Sequence, residues 1–206
     1  MTEGERKRAY LDWWKENGDV AHMATSFPQC GCESADAAPG GFGPIKDEER
    51  LRYFAVSRSD IDLKRSPKKS ITSSIFKRCF KSGMSTCRLG YASRAELNFS
   101  AQLLYEHQLH EHAEFGGVLG VVDFTAAAVR RPQESLEQVC CIVDTPLEDR
   151  NAHADVVSSK IVDEPEAQTS LRLLLFNAIG GVNAFCPVAE VTDCDLLAFR
   201  PAALAS

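Results

Sequence analysis

No stretch of this sequence approaches the roughly 20 uninterrupted apolar residues that a membrane helix needs, which sets aside a transmembrane span and a membrane partner. The N-terminus, MTEGERKRAYLDWW, has basic residues but no apolar core before a small-residue cleavage site, so it does not read as a secretory signal and a cytoplasmic protein is expected. Nucleotide and metal motifs are missing as well. There is no Walker loop, no Gly-x-Gly-x-x-Gly after a strand, no EF-hand loop and no His-Glu-x-x-His. There is also no Gly-x-Ser-x-Gly elbow. The cysteines lack the paired C-x2–4-C spacing of a zinc site: Cys30 and Cys32 are one residue apart, and Cys79/Cys87 and Cys186/Cys194 each enclose seven residues. Without an export signal the eight cysteines are expected to be reduced, with Cys140, Cys141 and Cys186 as core thiols inside apolar runs.

What is present is an uneven distribution of charge. The chain of 206 residues carries a formal net charge of −6, with 44% hydrophobic and 25% charged residues, an ordinary globular composition. Between Arg58 and Arg94, however, stand ten Lys/Arg residues and two acids, a local balance of +8 that leaves −14 on the remainder. A basic island on an acidic chain suits nucleic acid, a phosphate-rich ligand or an acidic protein surface. Its candidate contacts are Lys64, Arg65, Lys68, Lys69, Lys77, Arg78, Lys81 and Arg88. Phe76, Phe80 and Tyr91 are interleaved with them, as in grooves where rings stack on bases and cations hold phosphates. The alternative is a solvated basic loop.

Residues 1–23 read as an N-terminal helical arm, opened by the capping box Thr2-Glu3-Gly4-Glu5 and stopped by Asn17-Gly18. Residues 24–44 are rich in Gly, Pro, Ala and Ser without an apolar period and read as a flexible linker. Residues 45–200 form one domain, and 201–206 a frayed tail. Strands are expected over 52–57, 86–91, 118–123, 139–144 and 152–157, with a β-prone start at 71–80 and an edge strand near Pro187. A second capping box, Ser93-Arg94-Ala95-Glu96, opens one helix, and Pro165 opens another that ends before Gly180-Gly181. Connections such as 145–151 are too short for parallel crossovers. The pattern predicts an α+β fold, a mostly antiparallel sheet covered by two helices.

Two constellations suit chemistry. Glu106/His110 and His107/Glu111 are each four apart near the end of the capped helix, and with His112 and Glu114 they suit a divalent metal; histidines in a last turn also favour the helix dipole with no metal at all. Asp144, Asp149, Arg150, His153 and Asp155 form the second. His153 and Asp155 share a strand face, so a carboxylate-oriented histidine serves as general base, with Cys141 or a serine as nucleophile. A polar turn and an edge strand facing water account for the same residues.

Tyr91-Ala92-Ser93 running into the helix that carries Glu106, with Arg52 on an earlier strand, resembles RES-type domains, relatives of ADP-ribosyltransferases. That resemblance covers about residues 50–110 and implies an NAD-consuming enzyme with Arg52, Ser93 and Glu106 as its catalytic set. The segments DEERLRYFAVSRSDI, GVLGVV and NAHADVV are similar to small bacterial cytosolic proteins. The leading expectation is a non-catalytic accessory protein that contacts an anionic partner through residues 58–94 and needs no cofactor, as a subunit of a bacterial defence or toxin–antitoxin assembly. The alternatives are the NAD-consuming enzyme and a hydrolase around His153, the former using NAD and the latter allowing a divalent metal.

Overall fold

A computed structural model describes residues 30–33, 40–56, 60–62, 70–111, 117–132 and 137–199. The expected helical arm, the tail, most of the 24–44 stretch, and Lys64, Arg65, Lys68, Lys69 and His112 lie outside the described residues. The domain is built on a six-stranded sheet in the order β6-β7-β4-β1-β5-β8, in which every pairing is antiparallel. Its strands are β1 (Arg50–Val56), β4 (Met84–Arg88), β5 (Val118–Thr125), β6 (Cys140–Asp144), β7 (His153–Ser158) and β8 (Phe185–Pro187). A small ladder of β2 (Ile61–Asp62) and β3 (Ser70–Ile71) stands apart from it. The helices are α1 (Arg94–Glu111), α2 (Ala126–Arg130) and α3 (Pro165–Ala178). This is the α+β fold expected from the spacing of the apolar runs.

Strand alternation sends successive side chains to opposite faces, and each face has its own core. On one, Leu51, Tyr53, Met84, Val122, Ile142 and Val156 pack with Leu175 of α3 and with Ile75 and Phe76. On the other, Phe54, Cys87, Val118 and Val121 pack with Leu97 and Ala101 of α1 and with Leu196. The β-prone start expected at 71–80 is β3 only as far as Ile71; Ile75 and Phe76 belong to a 3-10 helix over Ser73–Phe80, which Thr72 caps by accepting the Ser74 amide. Gly120 is required where β8 joins: a Cβ there would run into the Cys186 carbonyl and the Phe185 ring. The edge strand around Pro187 thus stands where its missing N–H was expected to put it.

Two parts of the 24–44 stretch, expected as a free linker, lie against the domain. Cys30 is bonded to Cys141, so neither is the reduced thiol that was expected and Cys141 is no candidate nucleophile. A disulfide persists in oxidising surroundings, so the cytoplasmic expectation no longer has the cysteines on its side. Next to it, Glu33 accepts hydrogen bonds from Arg130 Nε (3.0 Å) and the Ile142 amide (2.5 Å). Cys32, buried beside Glu33, has its thiol pushed up to about 12, chiefly by burial.

Arg88 fixes the second part. Its guanidinium is 1% exposed and donates to Glu49 (2.9 Å), Asp144 Oδ1 (2.9 Å) and the Gly43 carbonyl (2.8 Å). Asp144 Oδ2 in turn accepts the Gly43 amide (2.8 Å), and Phe42 and Tyr91 stack at 4.3 Å beside the guanidinium. Arg88 is therefore a buried structural ion, not a surface contact for nucleic acid. Replacing it with methionine leaves Asp144 buried without its counter-charge. The expected loss is about 3–5 kcal/mol in urea denaturation. Reducing Cys30–Cys141, which closes a long loop, is expected to cost about 2–4 kcal/mol by the same measurement.

Candidate functional site

Between α1 and the sheet lies a cavity of about 460 Å³. β4 sends Ser85 and Cys87 into it, β7 sends His153, and α1 covers it with Ser100, Leu104 and His107. Phe54 and Val56 of β1 supply an apolar wall, and Arg78 and Arg150 stand at its margin. Among the described residues that line it there is no aspartate or glutamate.

Three local devices hold this arrangement. The first is the capping box on α1, found as expected: the Ser93 amide donates to Glu96 Oε2 (2.9 Å) and the Glu96 amide to Ser93 Oγ (3.2 Å). Glu96 also reaches out of the helix, its Oε1 accepting the Ala152 amide at 3.2 Å, which ties α1 to the β6–β7 connection. The second is that connection itself. Leu147 and Arg150 pair through both backbone hydrogen bonds around Glu148-Asp149, and Asp149 takes φ +60°, a left-handed conformation that aspartate tolerates.

The third device is the support of His153, which is 5% exposed. Its Nδ1 lies 2.9 Å from both the Thr145 carbonyl and the Thr145 hydroxyl, and that hydroxyl donates to Asp155 Oδ2 at 3.0 Å. A carbonyl only accepts, and the hydroxyl hydrogen is already given to Asp155, so Nδ1 carries the proton. In the neutral ring Nε2 is then the acceptor. Asp155 is 4.0 Å from Nδ1 and acts on the ring through Thr145; Ser85 Oγ donates to its other oxygen at 3.2 Å.

Arg150 is the odd charge of the site. Its Nε is buried without a hydrogen-bond partner, and among the described residues no carboxylate forms an ion pair with its guanidinium. Arg52, Arg88 and Arg130, by contrast, all hold carboxylates. Cys87, 5% exposed, has its Sγ 3.5 Å from Ser100 Oγ. Burial raises the Cys87 thiol, against the opposing pull of the Ser100 hydroxyl and the Arg150 charge.

The residues singled out from the sequence are distributed as follows. His153 and Asp155 share the α1 face of the sheet. Asp144 is on the opposite face, because it pairs in register with Ala154, one residue out of phase with both. Its partner is Arg88, which removes it from the expected catalytic group. Glu106, His107 and His110 stand exposed along α1, with Glu106 accepting from Gln102 (2.9 Å). No group of three potential metal ligands occurs among the described residues. The set implied by the RES-type resemblance does not converge. Arg52 is buried against Asp123 (2.7 Å) and Asp193 (2.5 Å), which raise its pKa despite burial. Ser93 and Glu106 are thirteen residues apart on α1, about 20 Å. Lys77, Arg78 and Lys81 are exposed on or next to the 3-10 helix. Sequence reading missed Cys87 as a site residue; the signal was its alternation with Ser85 on a strand paired to the one carrying His153.

No protein-family model, no curated protein and no solved structure matches the chain.

Partial burial works to raise the Glu96 carboxyl, but the hydrogen bonds from Ser93 and Ala152 prevail and hold it below the usual range. A folded-state pKa below the unfolded one stabilises the fold above the unfolded value, about 4.3, and the gain is lost as pH falls through the folded one. Glu96→Gln is expected to cost about 0.5–1 kcal/mol at pH 7 after solvent screening, a difference that shrinks in urea titrations below about pH 4.

Proposed function

We propose that the protein binds a small anionic ligand with an apolar portion in the cavity between α1 and the sheet. The observation that carries this reading is Arg150, a half-buried cation lining a cavity to which no described residue contributes a carboxylate. Arg78 adds further donors around the same space, while Phe54, Val56 and Leu104 suit an aromatic or aliphatic body. This reading keeps the anionic partner expected from charge asymmetry but seeks it in a pocket formed largely outside the 58–94 segment. Phenyl phosphate is a suitable probe in isothermal titration calorimetry, with phenol as its neutral counterpart. Phenyl phosphate is expected to bind and phenol not, and Arg150→Met to weaken binding about 10–100-fold. Binding of phenyl phosphate that ignores Arg150→Met would sink the reading.

A second reading retains the accessory role with nucleic acid or an acidic protein as partner. It is favoured by Lys77, Arg78 and Lys81, exposed within five residues of one another in sequence, of which Arg78 lines the cavity. Titration with a single-stranded oligonucleotide separates the two: counterion release makes that affinity fall steeply with salt, and Lys77→Ala/Lys81→Ala reduces it.

A further inference from the structure

Cys87 and His153 are register partners in the β4–β7 ladder. The Arg88 amide bonds the Ala152 carbonyl at 2.8 Å, which makes the neighbouring Cys87/His153 pair a non-hydrogen-bonded one. In such pairs the Cα atoms are about 4.5 Å apart and the side chains stand next to each other on the same face. Both side chains line the cavity. The thiol therefore has as its cross-strand neighbour an imidazole whose Nδ1 proton is committed to Thr145, leaving Nε2 as base. Ser100 Oγ is 3.5 Å from the sulfur; burial keeps the thiol above its ordinary range, a cost that the Ser100 hydroxyl and the Arg150 charge offset only in part, so the thiol depends on a base to ionise. These are the parts of an activated cysteine: nucleophile, neighbouring base, a group that fixes the base, and a cation for the substrate.

We propose that this cavity is the active site of a thiol hydrolase, with Cys87 as nucleophile and His153 as general base, acting on esters or thioesters that carry an acidic group. The proposal rests on the anion-binding reading, since Arg150 is what selects the acidic group. His153 Nε2 takes the Cys87 proton, directly or through one water. The sulfur then attacks the acyl carbon, a C–S bond forms, and the bond to the leaving alcohol or thiol breaks. The imidazolium returns its proton to that leaving group. Water, deprotonated by the same Nε2, cleaves the acyl–Cys87 thioester; the acid departs and the thiol is restored. No oxidant or metal enters the balance.

Mono-4-nitrophenyl succinate, which carries a carboxylate, and neutral 4-nitrophenyl acetate are the probes for the full chain. The succinate ester is expected to react at least about 10-fold faster, with an acyl group on the Cys87 peptide after acid quench. Cys87→Ser and Cys87→Ala, each checked for an unchanged thermal midpoint, are expected to lose about 100-fold or more in rate. His153→Gln is expected to slow acylation about 100-fold with the thermal midpoint unchanged. Arg150→Met is expected to narrow the succinate-to-acetate ratio. Acylation mapped to another cysteine, or a rate that survives both Cys87 variants, overturns the proposal. If the wild-type protein binds phenyl phosphate yet Cys87 is never acylated, the chemistry fails and the binding reading stands. If Cys87 is acylated equally fast by both esters and phenyl phosphate does not bind, the anion-binding reading fails and takes the substrate class with it.

Discussion

A guanidinium with 1% of its surface in water has to be matched where it stands, and the matching of Arg88 organises much of this molecule. Its three partners come from the segment before β1, from the end of β6 and from the Gly43 backbone. One side chain thereby joins the centre of the sheet and the edge strand β6 to a stretch of chain without secondary structure. The desolvation of such a charge is so unfavourable that each partner is tightly constrained. Gly41 shows how closely: a Cβ at that position would collide with the Asp144 carboxylate. Arg130 repeats the device one element later, with Glu33, Asp47 and the Ile45 carbonyl as its partners. Arg52, Arg88 and Arg130 neutralise acids inside, whereas Arg150 lines a cavity to which no described residue contributes an acid.

The fold was largely legible because its signals are local. Apolar runs ending in aspartate at Asp123 and Asp144 mark strands; Ser93 and Glu96 mark a helix start by reciprocal hydrogen bonds; Pro165 and Gly180 bracket another helix. The β-prone start at residues 71–80 holds only as far as Ile71, for a plain reason. Thr72 captures the Ser74 amide and turns the backbone, and Ile75, Phe76 and Cys79 then share the buried side of a 3-10 helix. The short helix after Thr125 was missed because AAAVR has no cap of its own and is held by Glu49 and Asp47 carbonyls distant in sequence. The packing of Cys30 against Cys141 was illegible for the same reason, a separation of 111 residues.

The candidate site was legible only in part. His153 and Asp155 were found because the period of two needs no partner to be read. Register does need one. Asp144 was grouped with them by closeness in sequence, and a single step of phase put it across the sheet. Cys87 was read as half of a widely spaced cysteine pair, and only the ladder between β4 and β7 sets it beside an imidazole. Charge counting located a basic segment but could not distinguish an arginine consumed in the interior from one left free.

The Glu33 carboxylate has one more consequence. Among the described residues β6 is the last strand on its side of the sheet, so its outward amides and carbonyls have no neighbouring strand there to bond. Glu33 occupies the Ile142 amide, and the Gln138 side chain, itself held by Glu33, occupies the Cys140 carbonyl. A bare rim of this kind is a template on which a foreign strand can grow. The chain thus uses its own upstream segment, fastened by a covalent bond to the strand it guards, as a cover against polymerising with its copies.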